Sequence, residues 1–463
     1  MKELQISSSG DQRLASIKSI SPKALEEARK SGVKSKPDNY NRSEDVKSVA
    51  RASFNFANTI LGAGIIGMPF ALKRTGLLMG CLLMMFVAYL SAYSSRMLVQ
   101  CANKVGATTY EGLCRQILGG KAFNVVLLCM GAFAFGGMTA YLILIGDAAT
   151  FVSRAWFGTD TIFSDRRILI LGFSCICVLP LSLIRDITKL SFGSFLGLVS
   201  IAVIVITVIW HGPAAAQQMT LAENQTSSAI SVIESTLFAG IGTMSFAFVC
   251  NHSAFIVFNS LDHPTPSRWR LITNISVGFA FFMCFIFGVS GYVNFRQSTK
   301  ADILGNFPAS DEVMNISRVM LVTTMIFTYP MEMFVARHCI LQVVTQEEHC
   351  SYWKYALASV SLFAATLAIA ITVPDVGIVI EVTGAISASC VGYILPGFIY
   401  LKMTGYEEVK RNALAVWNRA PNDVGDKPPF MNQVRMATRD VGPLMLVGFG
   451  ILAMVAGTVT AFI

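Results

Sequence analysis

The chain has 463 residues, of which 54% are hydrophobic and only 14% charged, and its mean hydropathy is +0.58. Because soluble globular proteins carry about 25% charged residues, this composition excludes a soluble enzyme, a secreted disulfide scaffold and a disordered protein. Lys and Arg outnumber Asp and Glu by 36 to 28, an excess typical of membrane-protein loops rather than of a nucleic-acid-binding surface. The chain is therefore predicted to be an all-α polytopic membrane protein.

The N-terminal segment, residues 1–50, is polar and contains few large apolar residues. Such a segment cannot bury enough apolar surface to fold, so we expect a disordered cytoplasmic tail. It has no short apolar core with a cleavage site, and no cleaved signal peptide is expected. The tail is either a solvated leader or the docking site of a cytosolic partner.

Long apolar runs fill most of the remaining chain. A helix needs about 20 mainly apolar residues to cross a bilayer, and this criterion predicts eleven spans, with ten or twelve as alternatives. The predicted spans are 52–72, 77–99, 122–149, 167–184, 190–210, 230–258, 271–294, 317–342, 353–373, 375–400 and 441–462. Between the last two spans, residues 401–440 form a predicted cytoplasmic loop, in which 409–417 are a possible amphipathic stretch on the membrane surface.

The distribution of basic residues predicts the orientation. With the N-terminus in the cytoplasm, 28 of the 36 Lys and Arg residues lie on the cytoplasmic side and 8 on the outer side. Since basic loops are retained in the cytoplasm, the N-terminus is predicted to be cytoplasmic. Eleven spans then place the C-terminus on the extracellular or lumenal side. The outer loop 211–229 contains no Lys or Arg but carries the sequon Asn224-Gln225-Thr226, so Asn224 is a predicted glycosylation site.

The first span contains three glycines and a proline within residues 62–69, a composition that disfavours a continuous helix. In a broken helix, the amides of Gly62, Ala63 and Gly64 are suited to a carboxylate. Freed carbonyls and the side chain of Asn58 are suited to a sodium ion or an ammonium group. The alternative is close helix packing through small residues.

The sixth span is again rich in glycine and polar residues, within 240–246. Two interrupted spans that lie five spans apart, here the first and the sixth, are typical of an inverted five-plus-five repeat. This predicts a first repeat at 51–210, a second at 230–400 and an additional helix at 441–463. Ser245 and Phe246 are then the predicted substrate residues of the sixth span, near the ammonium and the side chain of the substrate respectively.

Several polar residues lie deep in predicted spans, where ionisable groups are costly and point to function. His252, Glu332 and Glu381 are candidates for coupling or gating, although each could instead be satisfied within the bundle. Thr328 precedes Pro330, which frees a backbone carbonyl, so Thr328 and Asn58 could together form an oxygen-rich ion site. The alternative is a proline-kinked helix in which Thr328 bonds to its own backbone.

Hydrolytic and nucleotide-binding motifs are missing from the sequence. The match to G-x-G-x-x-G at 62–67 lies inside a membrane span rather than between a strand and a helix, which excludes it as a dinucleotide site. No organic cofactor is expected. Any uphill transport would therefore depend on a gradient of sodium ions or protons.

Five separate blocks of the chain form an ordered set of motifs. The blocks 57–69, 179–183, 244–252, 328–332 and 377–385 read ANTILGAGIIGMP, LPLSL, MSFAFVCNH, TYPME and GIVIEVTGA. Together they resemble the amino acid/auxin permease family, in particular its sodium-coupled neutral amino acid transporters (solute carrier family 38) and yeast vacuolar amino acid transporters. The resemblance implies a LeuT-type fold of eleven helices, with substrate between the first and sixth. It also implies that Asn58 and Thr328 bind sodium.

These observations lead to a hypothesis of secondary active transport of small neutral amino acids by alternating access, coupled to a cation and most simply to sodium. One alternative is a proton-coupled vacuolar or lysosomal transporter that uses Glu381 or His252. The other is an amino-acid sensor that signals through residues 1–50. The outer loop 211–229 lacks the cysteines of the family's plasma-membrane members, so plasma membrane and lysosome or vacuole both remain open.

Overall fold

The computed structural model describes residues 42–159, 161–184, 191–223, 231–345, 351–405 and 430–461, in which the regular elements are all helices. The chain forms two units, 1–47 and 48–463, and the described part of the first unit, residues 42–47, is helical. The α-helices are α1 (Arg42–Ile60), α2 (Met68–Thr75), α3 (Leu77–Val105), α4 (Tyr110–Ile117), α5 (Gly120–Phe157), α6 (Arg166–Phe173), α7 (Leu179–Ser182), α8 (Ser191–Glu223), α9 (Leu237–Phe248), α10 (Asn251–Asn259), α11 (Pro266–Phe295), α12 (Glu312–Thr345), α13 (Tyr352–Thr372), α14 (Val376–Thr383), α15 (Leu395–Met403) and α16 (Phe430–Ala461).

Nine segments of the described chain are long and apolar enough to cross a membrane. They are Leu77–Val105, Gly120–Phe157, Phe195–Met219, Leu237–Asn259, Pro266–Ser298, Glu312–Val344, Tyr352–Thr372, Val376–Met403 and Val441–Ala461. The other two predicted spans, 52–72 and 167–184, are helical but interrupted, the second by a π-helical turn at Ser174–Val178. A helical membrane protein is thus confirmed, while the count of eleven spans stays a prediction.

The most buried helices form the centre of the second unit. In their most apolar stretches, 89% of the residues of α9–α10 and 72% of those of α5 are buried, against 33% in α13. The long helix α12 packs along α5, and α8 packs against α12 and α11. The cavity described below lies among these central helices.

The break predicted in the first span is confirmed. Helix α1 ends at Ile60, Ala63–Ile65 form a single 3-10 turn, and α2 begins at Met68. Pro69 stands in the first turn of α2, where its missing amide costs no intrahelical hydrogen bond. Local backbone chemistry explains this break.

The break in the sixth span is not where the sequence predicted it. Helix α9 runs unbroken through 240–246, and the chain leaves helical geometry at Val249 (ψ 118°) before α10 begins at Asn251. Gly242 instead permits close packing: a Cβ atom there would lie 2.6 Å from the carbonyl oxygen of Glu381. These glycines therefore allow close helix packing, as small residues do in tightly packed membrane helices.

Two π-helical turns, Gly384–Ala388 and Cys390–Ile394, separate α14 from α15 within the predicted span 375–400. A π-turn disturbs the regular hydrogen-bond ladder, and side chains from other helices donate to its carbonyls. The Asn251 amide donates to the carbonyls of Val391 (3.2 Å) and Gly392 (3.1 Å), and Ser94 of α3 also donates to Gly392. Asn251 thus connects the start of α10 to the second π-turn.

Replacing Asn251 by Leu is expected to destabilise the protein. The substitution keeps the volume but removes donors from buried carbonyls and from Ser94, each loss costing about 1–3 kcal/mol. Asn259→Leu is the matched control, because Asn259 is exposed on the same helix and donates one bond, to Thr108. The thermal unfolding midpoint of the purified protein should fall clearly only for Asn251→Leu. Equal shifts in both variants would contradict this role.

Several predicted features lie outside the described residues. They include 1–41 of the predicted tail, residues 406–429 with the possible amphipathic stretch, and the sequon at Asn224. Inside the described ranges, the first helix begins at Arg42 rather than after residue 50. Helix α16 begins at Phe430, within the predicted loop 401–440.

Candidate functional site

A small cavity lies where the two interrupted segments, α1–α2 and α9–α10, meet α5 and α12. Its volume is about 20 Å³, which is room for about one water molecule. Backbone groups are accessible at membrane depth only where helices are interrupted beside a cavity. This junction therefore meets the physical requirement for binding a polar solute.

The first break supplies one wall of the cavity, which includes Gly62, Ala63 and Gly64. Gly62 has a non-helical backbone (ψ −142°) and precedes the 3-10 turn. A Cβ atom on Gly64 would lie 2.5 Å from the Cα atom of Ala247, so the break lies directly against α9. The three predicted carboxylate-binding residues are thus in the cavity wall.

Aromatic rings form a second wall. Phe133 of α5 packs against Phe246 with ring centroids 5.3 Å apart and against His252 at 4.9 Å. Phe246 therefore lines the cavity, as predicted for the substrate side chain. Ser245 is fully buried but is not among the lining residues, because adjacent residues of the continuous helix α9 point in different directions.

Helix α5 contributes residues that sequence reasoning missed. Phe133, Gly137 and Tyr141 all line the cavity, and a Cβ atom on Gly62 would lie 3.0 Å from the Tyr141 hydroxyl oxygen. The α5 span is mainly apolar and forms one unbroken helix, so its composition did not lead us to predict a site there. The spacing i, i+4, i+8, which places side chains on one helical face, is the signal that could have found them.

A histidine and a glutamate lie close together in the cavity wall. His252 Nε2, at the start of α10, lies 3.8 Å from Glu332 Oε1 on α12. Both residues line the cavity, and His252 Nδ1 and Glu332 Oε2 have no hydrogen-bond partner among the described residues. The fold thus brings together two of the three coupling candidates, which are far apart in the sequence.

The third coupling candidate, Glu381, lies elsewhere. It is 1% exposed in α14 and accepts a charge-assisted hydrogen bond from Arg74 Nε at 3.3 Å. Arg74 stands in the last turn of α2, beyond the break. This ion pair joins the first interrupted segment to α14, and Glu381 is not among the residues that line the cavity.

The predicted sodium ligands lie beside the cavity rather than in its wall. A Cβ atom on Gly197 of α8 would lie 3.0 Å from Asn58 Oδ1 and 3.4 Å from the Thr324 methyl carbon, so α1, α8 and α12 converge at Asn58. Thr328 is one turn further along α12 and donates its hydroxyl hydrogen to the Thr324 carbonyl at 2.8 Å, which is the bond to its own backbone that the alternative predicted. The amide oxygen of Asn58 and the hydroxyl oxygen of Thr328 are hard ligands, the kind that a sodium ion prefers.

Residues 45–420 match the sequence profile of the family described as transmembrane amino acid transporter protein. The chain belongs to this family. A Danio rerio protein provisionally named sodium-coupled neutral amino acid transporter 11 is 33% identical over 359 residues, which are 77% of this chain and 79% of that protein. Vacuolar amino acid transporter 2 of Saccharomyces cerevisiae is 33% identical over 377 residues, 78% of each. These relatives are named as transporters, not enzymes, and the resemblance read from the five sequence blocks is confirmed.

One solved structure shares the fold. The substrate-bound, outward-open state of a Na⁺-coupled sialic acid symporter aligns over 92% of both chains with a TM-score of 0.53 and 14% identity. At this identity the similarity concerns the fold alone, which is that of LeuT-type transporters. The chain is therefore a multi-pass membrane protein of the amino acid transporter family with a LeuT-type fold.

Proposed function

We propose that the protein is a secondary active transporter of small neutral amino acids, driven by a sodium gradient and working by alternating access. The observation that carries this proposal is the cavity at which two interrupted helices expose backbone beside aromatic side chains. Transporters of this architecture bind substrate at such a junction, where half-helix ends face the charged groups. The names of the relatives support amino acids as the substrate class.

Each part of an amino acid has a complementary wall in the cavity. The amides at Gly62, Ala63 and Gly64 would hold the carboxylate, and carbonyls around the second break at Val249 would hold the ammonium. Phe133 and Phe246 would contact the side chain. Since about 20 Å³ is too small for any amino acid, the helices must separate to admit one, as alternating access requires.

The proposed topology completes this arrangement. Eleven spans would form an inverted five-plus-five repeat, 51–210 and 230–400, followed by the helix 441–463, with the N-terminus in the cytoplasm. The two interrupted segments support this repeat, because α1–α2 is the first span of the first repeat and α9–α10 is the first span of the second. The name of the vacuolar relative supports a lysosomal or vacuolar membrane, and the plasma membrane is the alternative location.

Proton coupling is the second candidate, and the contact between His252 and Glu332 favours it. Both groups line the cavity, lie 3.8 Å apart and carry unpaired polar atoms among the described residues. A proton bound there would change the charge in contact with the substrate. Glu381 is a weaker candidate for this role because it does not line the cavity and one of its carboxylate oxygens accepts a hydrogen bond from Arg74.

Amino-acid uptake into proteoliposomes tests the proposal directly, with a sodium gradient and a pH gradient imposed in separate experiments. Accumulation driven by sodium would support the proposal. Accumulation driven only by protons would favour the second candidate. Ligand binding without flux under either gradient would overturn both and favour the sensor hypothesis.

Replacing Asn58 or Thr328 by Ala is expected to reduce sodium-driven uptake at least about tenfold while leaving protein abundance nearly unchanged, since a lost bond to a charged group costs about 1.5–3 kcal/mol. Thr323→Ala is the matched control, because Thr323 also bonds to its own helix, at Val319, but on the more exposed face of α12. Uptake at several sodium concentrations measures the effect. Parallel loss of uptake and abundance would indicate a structural role instead.

A further inference from the structure

An apolar groove runs along the outside of the bundle between α5, α12 and α13, away from the amino-acid cavity. Its volume is about 330 Å³, large enough for a hydrocarbon chain rather than a small solute. Its lining includes Leu128 and Ala132 of α5, Val344 of α12 and Leu362 of α13. Leu128 is 71% exposed and Val344 is 74% exposed, so the groove opens on the surface that a membrane-spanning bundle presents to lipid.

One end of the groove lies near the membrane–water interface. There, α5 begins, α12 ends and α13 begins. Tyr352 and Trp353, at the start of α13, are 58% and 79% exposed, and exposed aromatic residues of this kind are enriched at the level of the lipid headgroups. Leu362 is about 15 Å further along α13, at 1.5 Å per residue. The groove therefore begins below the headgroups and extends towards the bilayer centre.

Basic residues lie between this interface and the groove. Phe123 precedes Leu127 and Gly131 of the groove at intervals of four residues, and thus shares their face of α5. The Arg115 guanidinium of α4 lies over the Phe123 ring, 5.4 Å from its centroid. Lys121 is exposed in the first turn of α5, and Lys354 is exposed in the first turn of α13. Arg115, Lys121 and Lys354 thus form a positively charged rim, the basic rim, at the end of the apolar groove that lies near the interface.

We propose that this groove binds an anionic phospholipid, with one acyl chain between α5, α12 and α13 and the headgroup phosphate beside Arg115 and Lys121. The acyl chain matches the apolar lining, and the negative headgroup matches the basic rim. The sequence assigns this side of the bundle to the cytoplasm, whose leaflet carries the anionic lipids. A free phosphate would use the rim but not the groove, and a neutral lipid would use the groove but not the rim.

Native mass spectrometry of the full-length protein tests this site, with dioleoyl phosphatidylglycerol and dioleoyl phosphatidylcholine titrated separately into the detergent-solubilised protein. The wild-type protein should retain one phosphatidylglycerol molecule more tightly than phosphatidylcholine. Equal retention of the two lipids would overturn the proposed role of the basic rim.

Two variants probe the two halves of the site. Ala132→Trp places an indole in the open groove and should abolish the tight adduct, whereas Ile275→Trp, at a 49% exposed position on α11, should keep it. The double variant Arg115→Gln/Lys121→Gln should bind phosphatidylglycerol about 25-fold more weakly, at about fivefold per basic residue near the membrane surface. Its phosphatidylcholine binding should be unchanged. Since both exchanged residues are exposed, this variant tests the site even if Ala132→Trp fails to fold.

Other results would overturn the proposal. Retention of the tight adduct in Ala132→Trp would place the lipid elsewhere on the bundle. A dimer that dissociates in Ala132→Trp would show that a second copy of the chain covers the groove. Displacement of phosphatidylglycerol by an equal concentration of inorganic phosphate would reduce the site to an anion site on the rim.

Discussion

Replacing Gly384 by Ala is expected to prevent the protein from accumulating in a folded form. The new Cβ atom would lie 1.9 Å from the carbonyl oxygen of Gly242, a distance that no pair of unbonded atoms tolerates. Both partners are backbone of buried helices, α9 and the π-turn after α14, so neither can rotate away. The cost should reach about 3 kcal/mol, the upper end for overpacked cores, because two central helices must separate.

Size-exclusion chromatography of the solubilised protein measures this effect. The monodisperse peak should be lost, or the remaining protein should unfold at a much lower temperature. Gly278→Ala is the control, because a Cβ atom on this glycine of α11 meets no atom within 4 Å and Ala is the better helix former. If the two variants behaved alike, the close approach of α9 and the π-turn would be wrong.

Replacing Gly64 by Ala is expected to reduce uptake about a hundredfold, the loss that follows when binding groups are misplaced by about 1 Å. The new Cβ atom would lie 2.5 Å from both the Cα and Cβ atoms of Ala247. The 3-10 turn Ala63–Ile65 must therefore move away from α9, and the cavity wall moves with it. Flanking glycines allow this short segment to shift, so the protein should still fold.

The initial uptake rate per amount of reconstituted protein measures the loss. Gly137→Ala is the matched control in the same cavity, because its Cβ atom would meet Glu332 at 3.8 Å and Phe246 at 4.0 Å, both ordinary van der Waals distances. Gly137→Ala should retain uptake within a few-fold of wild type. A comparable loss in both variants would indicate that cavity size, rather than the position of the first break, limits transport.

The interrupted segments show how far sequence reasoning reaches. The first break follows from Gly and Pro residues in 62–69, whose backbone preferences act locally, and the structure has it there. The second break was predicted from the same kind of composition, and it was displaced to Val249. At Gly242 the absent side chain serves close contact with α14. Composition alone does not distinguish a glycine that breaks a helix from one that packs it.

The charged groups show the same limit. His252, Glu332 and Glu381 were equivalent in the sequence, since each is an ionisable residue in an apolar span. The structure separates them, pairing Glu332 with His252 in the cavity and Glu381 with Arg74 outside it. Their different proposed roles depend on partners that come from distant helices.

The class of this protein, its family and the first interrupted helix could all be predicted from the sequence. These properties follow from average composition, from short ordered motifs and from the local conformational preferences of Gly and Pro. Three features became apparent only from the folded structure: α5 lines the cavity, the second break lies at Val249, and Glu332 is the acid beside His252. Each of these depends on side chains brought together from remote parts of the chain by helix packing. The spacing on α5 could have indicated which face of that helix is shared, but not which helices that face contacts.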